Sequence, residues 1–165
     1  MEIFRGRRLW IEQRKVTLPN GLERDKLIVH PSSAVAILPI ENDRCKLIRQ
    51  YRYAIDDYIL EAPAGALEKD EEPLIAAGRE LIEETGFAAR SIEPRGYIIT
   101  TPGYTDEKIY LYEAHGLTPS QEYGKDEDEV IEVVDVAVSD LPRMVKDGAI
   151  TDAKTLCLIY RCLGC

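Results

Sequence analysis

The first third of the chain alternates short apolar runs with turn residues: "WIEQRKVTL", "DKLIVH", "SAVAILPI" and "RCKLIRQYRY". Runs of this length, rich in β-branched and aromatic residues, predict strands, and Pro19-Asn20-Gly21 between the first two predicts a hairpin turn. In "KLIRQYRY" a period of two sets Leu47, Arg49, Tyr51 and Tyr53 on one face and Ile48, Gln50 and Arg52 on the other. An arginine on each face predicts either a sheet edge with solvated cations or a strand that binds an anion. The period then becomes helical from about Pro73 to Thr85. Pro73 suits a first turn, acidic residues crowd that end where the helix dipole favours them, and Gly86 stands where a helix stops. Strands resume in "RGYIIT", "KIYLYEAHG" and "EVIEVVDVAV". A short helix is expected from Ser139 to Gly148 and a last one from about Thr151 to Leu163, with Gly164 beyond it. Strands, helix, strands, helices is the order of an α+β fold, a mixed sheet flanked by helices.

The polar side of the first helix carries the chemistry. A turn of about 100° per residue puts Leu74, Ile75, Ala77, Gly78, Leu81 and Ile82 on one apolar arc. Glu80 and Glu84 are one turn apart on the side of the polar arc that borders Ala77, at the rim of the core. Like charges so placed repel unless something positive lies between them. One reading is a solvated acidic face in which Arg79 pairs with Glu83. The other is a divalent-cation site, with Glu80 and Glu84 as oxygen ligands suited to Mg²⁺ and with Arg79 and Glu83 orienting them.

Composition narrows the choices. At 165 residues the chain has the size of one domain, and its net charge of −9 argues against a general nucleic-acid binder. No apolar run approaches the roughly 18 residues of a membrane span. The start, "MEIFRGRRLWIEQRK", lacks a secretory pattern, so a cytoplasmic location is expected. Of Cys45, Cys157, Cys162 and Cys165 only the "CLGC" pair approaches a zinc or redox spacing; reduced, non-catalytic thiols are expected.

The stretch "GALEKDEEPLIAAGRELIEETGF" also matches a family pattern: Gly65, Glu71 after five residues, Arg79 after seven more, then Glu80, two apolar residues, Glu83, Glu84, Thr85, Gly86 and Phe87. It resembles the Nudix hydrolase box without a mismatch. The resemblance implies an α/β/α sandwich and metal-dependent hydrolysis of a nucleoside diphosphate linked to another moiety. It implies Mg²⁺, or Mn²⁺ in its place, held by Glu80, Glu84 and the carbonyl of Ala64, with Arg79 and Glu83 assisting in the catalytic group and Glu71 supporting the loop.

Outside the box, "RQYRY" before "EAPAG", Pro102 in "TTPGYTDE" and the final "DAKT" resemble the ADP-ribose pyrophosphatase branch. That likeness implies ADP-ribose as substrate, with AMP and ribose 5-phosphate as products. Arg52, Pro102 and Gly103 would then touch substrate, Arg52 on its phosphate side. A turn at Pro102-Gly103 is expected on either view. The branch also implies a homodimer in which the β-rich residues 1–30 extend a single Nudix domain of residues 1–165, the partner chain helping to enclose the adenine. Trp10 is read as packing rather than as the adenine platform. For the group that activates water, the acidic loop "EYGKDEDEVIEVV" is the family's location. Glu129 resembles the loop glutamate best, Glu127 comes next, Asp128 and Glu132 are not ranked, and Glu107 is an outside candidate. The rival functions are hydrolysis of another nucleotide sugar or a dinucleotide, and non-hydrolytic nucleotide sensing.

Overall fold

A computed structural model describes residues 1–120 and 130–164. The chain opens with three antiparallel strands, β1 (Glu2–Arg5), β2 (Leu9–Thr17) and β3 (Glu23–Pro31). The hairpin expected at Pro19-Asn20-Gly21 is present: Leu18 N donates to Leu22 O at 2.8 Å, and Gly21 has the φ of +80° that a side chain would resist.

A seven-stranded mixed sheet follows. It contains β4 (Ala34–Glu41), β5 (Arg44–Arg52), β6 (Asp57–Glu61), β7 (Ala64–Ala66), β8 (Phe87–Ile99), β9 (Lys108–Pro119) and β10 (Ile131–Ala137). The main order is β10-β5-β4-β9-β8, with β6 beside β5 and β7 beside β4. Strands β4 and β9 run parallel, and the other pairings are antiparallel. The continuous apolar run of β4 is explained by burial on both faces. Val35 and Ile37 pack with Ala76, Ala77 and Leu81 of α1 (Pro73–Thr85). Ala36 and Leu38 face the other way, toward Leu141 of α2 (Leu141–Lys146) and Leu158 and Ile159 of α3 (Ala153–Leu163). The sheet is thus sandwiched between helices, the α+β sandwich expected.

Helix α1 spans Pro73 to Thr85 and ends at Gly86, whose φ is 77°. Its buried face differs from the apolar arc. Leu74 is 48% and Ile75 64% exposed, while Ala76, Thr85 and the carboxylates Glu80 and Glu84 are buried. Strand β7 lies over that face and offers the acids backbone partners, which periodicity alone does not report. The acids before the helix do not enter its first turn either. Glu71 turns instead to Arg79.

Strand β5 is a correction to the sheet-edge reading. It pairs with β10 along one side, and with β4 and β6 along the other. Cys45, Leu47, Ile48 and Gln50 are consequently buried. Strands β1, β6, β7 and the first half of β8 lie beyond the runs the pattern marked. The expected Ser139–Gly148 helix is a 3-10 turn, Val138–Asp140, leading into α2. The last helix is capped by Asp152, whose Oδ2 accepts from Thr155 N at 2.9 Å and from Thr155 Oγ1 at 2.6 Å. Thr155 Oγ1 in turn accepts from Ala62 N at 2.7 Å, tying α3 to the strand end that carries Glu61.

Candidate active site

The two helix acids grip neighbouring residues of one strand. Glu84, 2% exposed, accepts a hydrogen bond on Oε2 from Ala64 N at 2.7 Å. The Glu80 carboxylate lies on Gly65 so closely that a Cβ there would stand 2.0 Å from Oε1 and 2.3 Å from Oε2. Only glycine leaves room for that carboxylate, which gives the first residue of the box a physical role.

Arg79 supplies the positive charge between the acids. Its Nε and Nη2 donate to the two oxygens of Glu71, each at 2.9 Å, and Nη1 donates to Glu80 and Glu83, each at 2.8 Å. Nη2 also reaches the Ala66 carbonyl at 3.3 Å. The Arg79 hydrogen bond, opposed by burial, holds the Glu71 carboxyl below its usual range. Glu71 Oε2 further accepts from Glu68 N at 2.9 Å, so one carboxylate joins the loop to the helix. The Arg79–Glu83 pair expected of a solvated acidic face exists, while Glu84 hydrogen-bonds to β7 and the Glu80 carboxylate lies against it.

A second charged group stands nearby. Arg52 donates from Nε and Nη2 to Glu61 at 2.5 and 2.6 Å, and Lys154 Nζ pairs with the same carboxylate and with Asp152. Glu61 is 1% exposed. Burial alone would raise its pKa, but the Arg52 hydrogen bond and the Lys154 charge outweigh burial and lower it. The fork-to-fork contact with Glu61 in turn raises Arg52.

These groups open onto one cavity of about 950 Å³, whose lining includes Arg52, Ala64, Glu80, Glu83, Glu107 and Lys154. Arg79 lines it as well. Glu107 Oε2 accepts from Thr100 Oγ1 at 2.6 Å. Pro102 and Gly103 form the expected turn but are exposed and do not line the cavity. That turn lies against β3, where Val29 N donates to Tyr104 O at 2.8 Å. Glu132 stands on β10, exposed, 3.9 Å from Arg49. Glu127, Asp128 and Glu129 lie outside the described residues, as does Cys165. Trp10 is stacked on His30 at 3.9 Å with Arg5 over the ring, a packing arrangement.

Glu61 and Lys154 are the site residues that sequence reasoning passed over. Both sit in quoted motifs, "EAPAG" and "DAKT", but their contact spans 93 residues and leaves no trace in spacing.

Among the described residues no group of three or more His, Cys, Asp or Glu side chains is arranged to hold a metal ion. The donor set nevertheless suits a hard cation: two carboxylates approach neighbouring residues of one short strand, where the absence of a Cβ on Gly65 leaves room for the Glu80 oxygens.

The model of the NUDIX domain matches residues 30–159. The chain is 38% identical over 157 residues to the methanol dehydrogenase activator of Bacillus methanolicus, covering 94% of this chain and 85% of that protein. It is 36% identical over 156 residues to the ADP-ribose pyrophosphatase of Bacillus subtilis strain 168, covering 93% and 84%. Among solved structures, an ADP compounds hydrolase superposes with a TM-score of 0.88 at 26% identity, covering 99% of this chain and 89% of that one. With the box geometry and these likenesses in agreement, the chain belongs to the Nudix family.

Proposed function

We propose that this chain is a pyrophosphohydrolase that splits the diphosphate bridge of ADP-ribose into AMP and ribose 5-phosphate. The observation that carries the reading is the convergence of Glu80 and Glu84 on Ala64 and Gly65, beside a cavity lined by Ala64, Gly65 and Glu80 together with Arg52 and Lys154. The 36% identical ADP-ribose pyrophosphatase supports the choice of substrate.

Glu80, Glu84 and the Ala64 carbonyl would hold Mg²⁺, with Mn²⁺ as substitute, and when bound the ion supplies Lewis-acid stabilisation of charge on the phosphates. The remaining work falls to the chain's own groups. Arg52 binds the diphosphate: Glu61 occupies its Nε and Nη2, which fixes the guanidinium at the cavity wall. Lys154, fixed by Glu61 and Asp152, adds a second charge to that wall. Arg79 and Glu71 hold the box loop against α1, and Glu83 shares the Arg79 Nη1 that orients Glu80.

A carboxylate must take the proton of the attacking water. Glu129 is the choice the family resemblance favours, followed by Glu127. A second reading assigns the step to Glu107, because this carboxylate lines the cavity and makes no ion pair among the described residues. Glu107→Gln and Glu129→Gln separate them: replacing the true base lowers turnover and removes the acidic limb of the pH–rate profile, where the carboxylate is protonated.

The reading extends to organisation. Residues 1–165 act as one Nudix domain in which residues 1–30 pair two copies into a homodimer. The exposed Ile3, Phe4 and Leu27 of the N-terminal sheet support this. No described helix is long and apolar enough to cross a membrane, and Cys45, Cys157 and Cys162 are free thiols, which supports a cytoplasmic location.

The test is a panel of ADP-ribose, other nucleotide sugars and dinucleotides, with and without Mg²⁺, both products being identified. AMP and ribose 5-phosphate formed only with the ion, and fastest from ADP-ribose, is the expected result. A faster nucleotide sugar would reassign the substrate. Tight binding without turnover would replace the enzyme with a sensor.

A further inference from the structure

The turn between β1 and β2 is closed by Gly6 N donating to Leu9 O at 2.8 Å, which leaves Arg7 and Arg8 as its two central residues. Its Arg8 end is held by the rung next to the Leu9–Pro31 pair of β2 and β3: Ser32 N donates to Arg8 O at 2.8 Å, and Ser32 Oγ donates to the same oxygen at 3.3 Å. Arg7 and Arg8 therefore line the cavity, as does Lys69 from the box loop.

The cations around this cavity fall into two groups. Arg52 and Lys154 are committed to Glu61, and Arg79 to Glu71, Glu80 and Glu83. Arg7, Arg8 and Lys69 make no ion pair among the described residues. Elsewhere in the N-terminal sheet Arg5 pairs with Glu2, Arg14 with Glu12 and Lys15 with Glu23, while Arg24 and Lys26 of β3, which do not line the cavity, make no ion pair among the described residues. Glu68 and Glu107 line the same cavity and pair with none of the three. Three cations that line one cavity, with no ion pair among the described residues, repel one another, in a chain whose net charge is −9 and whose carboxylates are plentiful. Two arginines held at a fastened turn also present planar forks that match a phosphate's oxygens.

On the hydrolytic reading the diphosphate bridge has its own partners in Arg52, Lys154 and the cation that Glu80 and Glu84 would hold. At about 950 Å³ the cavity stands at the large end of ligand sites and has room for one more charged group. We infer that Arg7, Arg8 and Lys69 form a second anion site that takes a phosphomonoester carried by a nucleoside diphosphate compound in addition to its bridge. This rests on the hydrolytic reading for its substrate class, and it makes the N-terminal turn a determinant of specificity.

Three compounds test it on the full-length chain: ADP-ribose, ADP-ribose phosphorylated on the adenosine ribose, and ADP-ribose phosphorylated on the terminal ribose. The unaltered enzyme is expected to show a kcat/KM about tenfold or more higher for one phosphorylated compound, the size of a charge-assisted hydrogen bond. The Arg7→Ala, Arg8→Ala double variant collapses that ratio, and Arg7→Lys with Arg8→Lys restores part of it. No preference in the unaltered enzyme, or an equal loss on all three compounds, overturns the site. Calorimetry with inorganic phosphate distinguishes the source: binding of free phosphate without any preference among the compounds also overturns it. Should none of the compounds turn over, the hydrolytic reading falls by itself, while calorimetric binding of the same three compounds still decides the rim.

Discussion

In the seven-stranded sheet, β4 alone contributes Val35, Ala36, Ile37 and Leu38 with no exposed surface, whereas the three-stranded sheet of residues 2–31 has not one buried residue. The first sheet is held by apolar burial on both faces, worth about 1.5–3 kcal/mol for each large side chain. The second is held to the body through polar contacts at its margin: Val29 N to Tyr104 O at 2.8 Å, and His30 Nδ1 with Asp106 at 2.6 Å. Yet both sheets reach one cavity. The body can therefore fix the acids and their cations to within an ångström, while the N-terminal sheet is free to vary in what it presents without endangering the core.

Substitutions that separate the two regions sharpen this contrast. The largest effect is expected from Glu84→Gln. Gln keeps an oxygen to accept from Ala64 N, so thermal unfolding stays near that of the parent while kcat/KM falls by about 100-fold or more. Turnover equal to the parent's would remove the acid from the site. Gly65→Ala comes next. The new Cβ would meet the Glu80 carboxylate at 2.0 Å, and the movable end of that side chain must swing aside. Activity is expected to drop about tenfold or more with little change in melting temperature; a fully active variant would show that the carboxylate need not lie there.

Glu61→Gln strikes stability instead. It leaves Arg52 and the nearly buried Lys154 without their anion and is expected to cost about 2–3 kcal/mol in urea unfolding. The sign of the pH effect follows from the depressed carboxyl. Glu61 contributes stability that is fully present above its ordinary value of 4.5 and is lost as pH falls through its lower folded-state value. The parent is thus expected to lose stability with acid more steeply than the Gln variant; parallel curves would mean that the pair contributes nothing. The smallest effect on the body belongs to Phe4→Asp combined with Leu27→Asp. Unfolding free energy per chain should move by less than about 0.5 kcal/mol, while sedimentation is expected to show the proposed homodimer dissociating. A dimer that survives both charges would place the interface elsewhere.

The sequence was legible where structure is local. Pro73 and Gly86 bracket α1 to the residue, because a proline in the first turn and a left-handed glycine after the last are helix ends in themselves. The Asn20-Gly21 turn is read for the same reason. Strand β7 was not, since three small residues carry no periodic signal and owe their strand to pairing with β4. For β5 the arginine on each face leaves a sheet edge and an anion-binding strand equally open, and the strand that covers one side of it, β10, comes almost ninety residues later. Glu129 falls outside the described residues, and the turn expected at Pro102 and Gly103 is present, with neither residue in the cavity lining.

What the sequence by itself determined is the α1 helix and the one-turn spacing of Glu80 and Glu84 at the edge of the core, since a helix sets the direction of its own side chains. Only the tertiary structure decided what those acids meet, that Glu61 joins Arg52 to Lys154, and that the Arg7-Arg8 turn overlooks the same cavity. The physical reason is range: torsions and periodicity act over a few residues, whereas a buried charge is satisfied by whichever distant group the packing brings within about 3 Å.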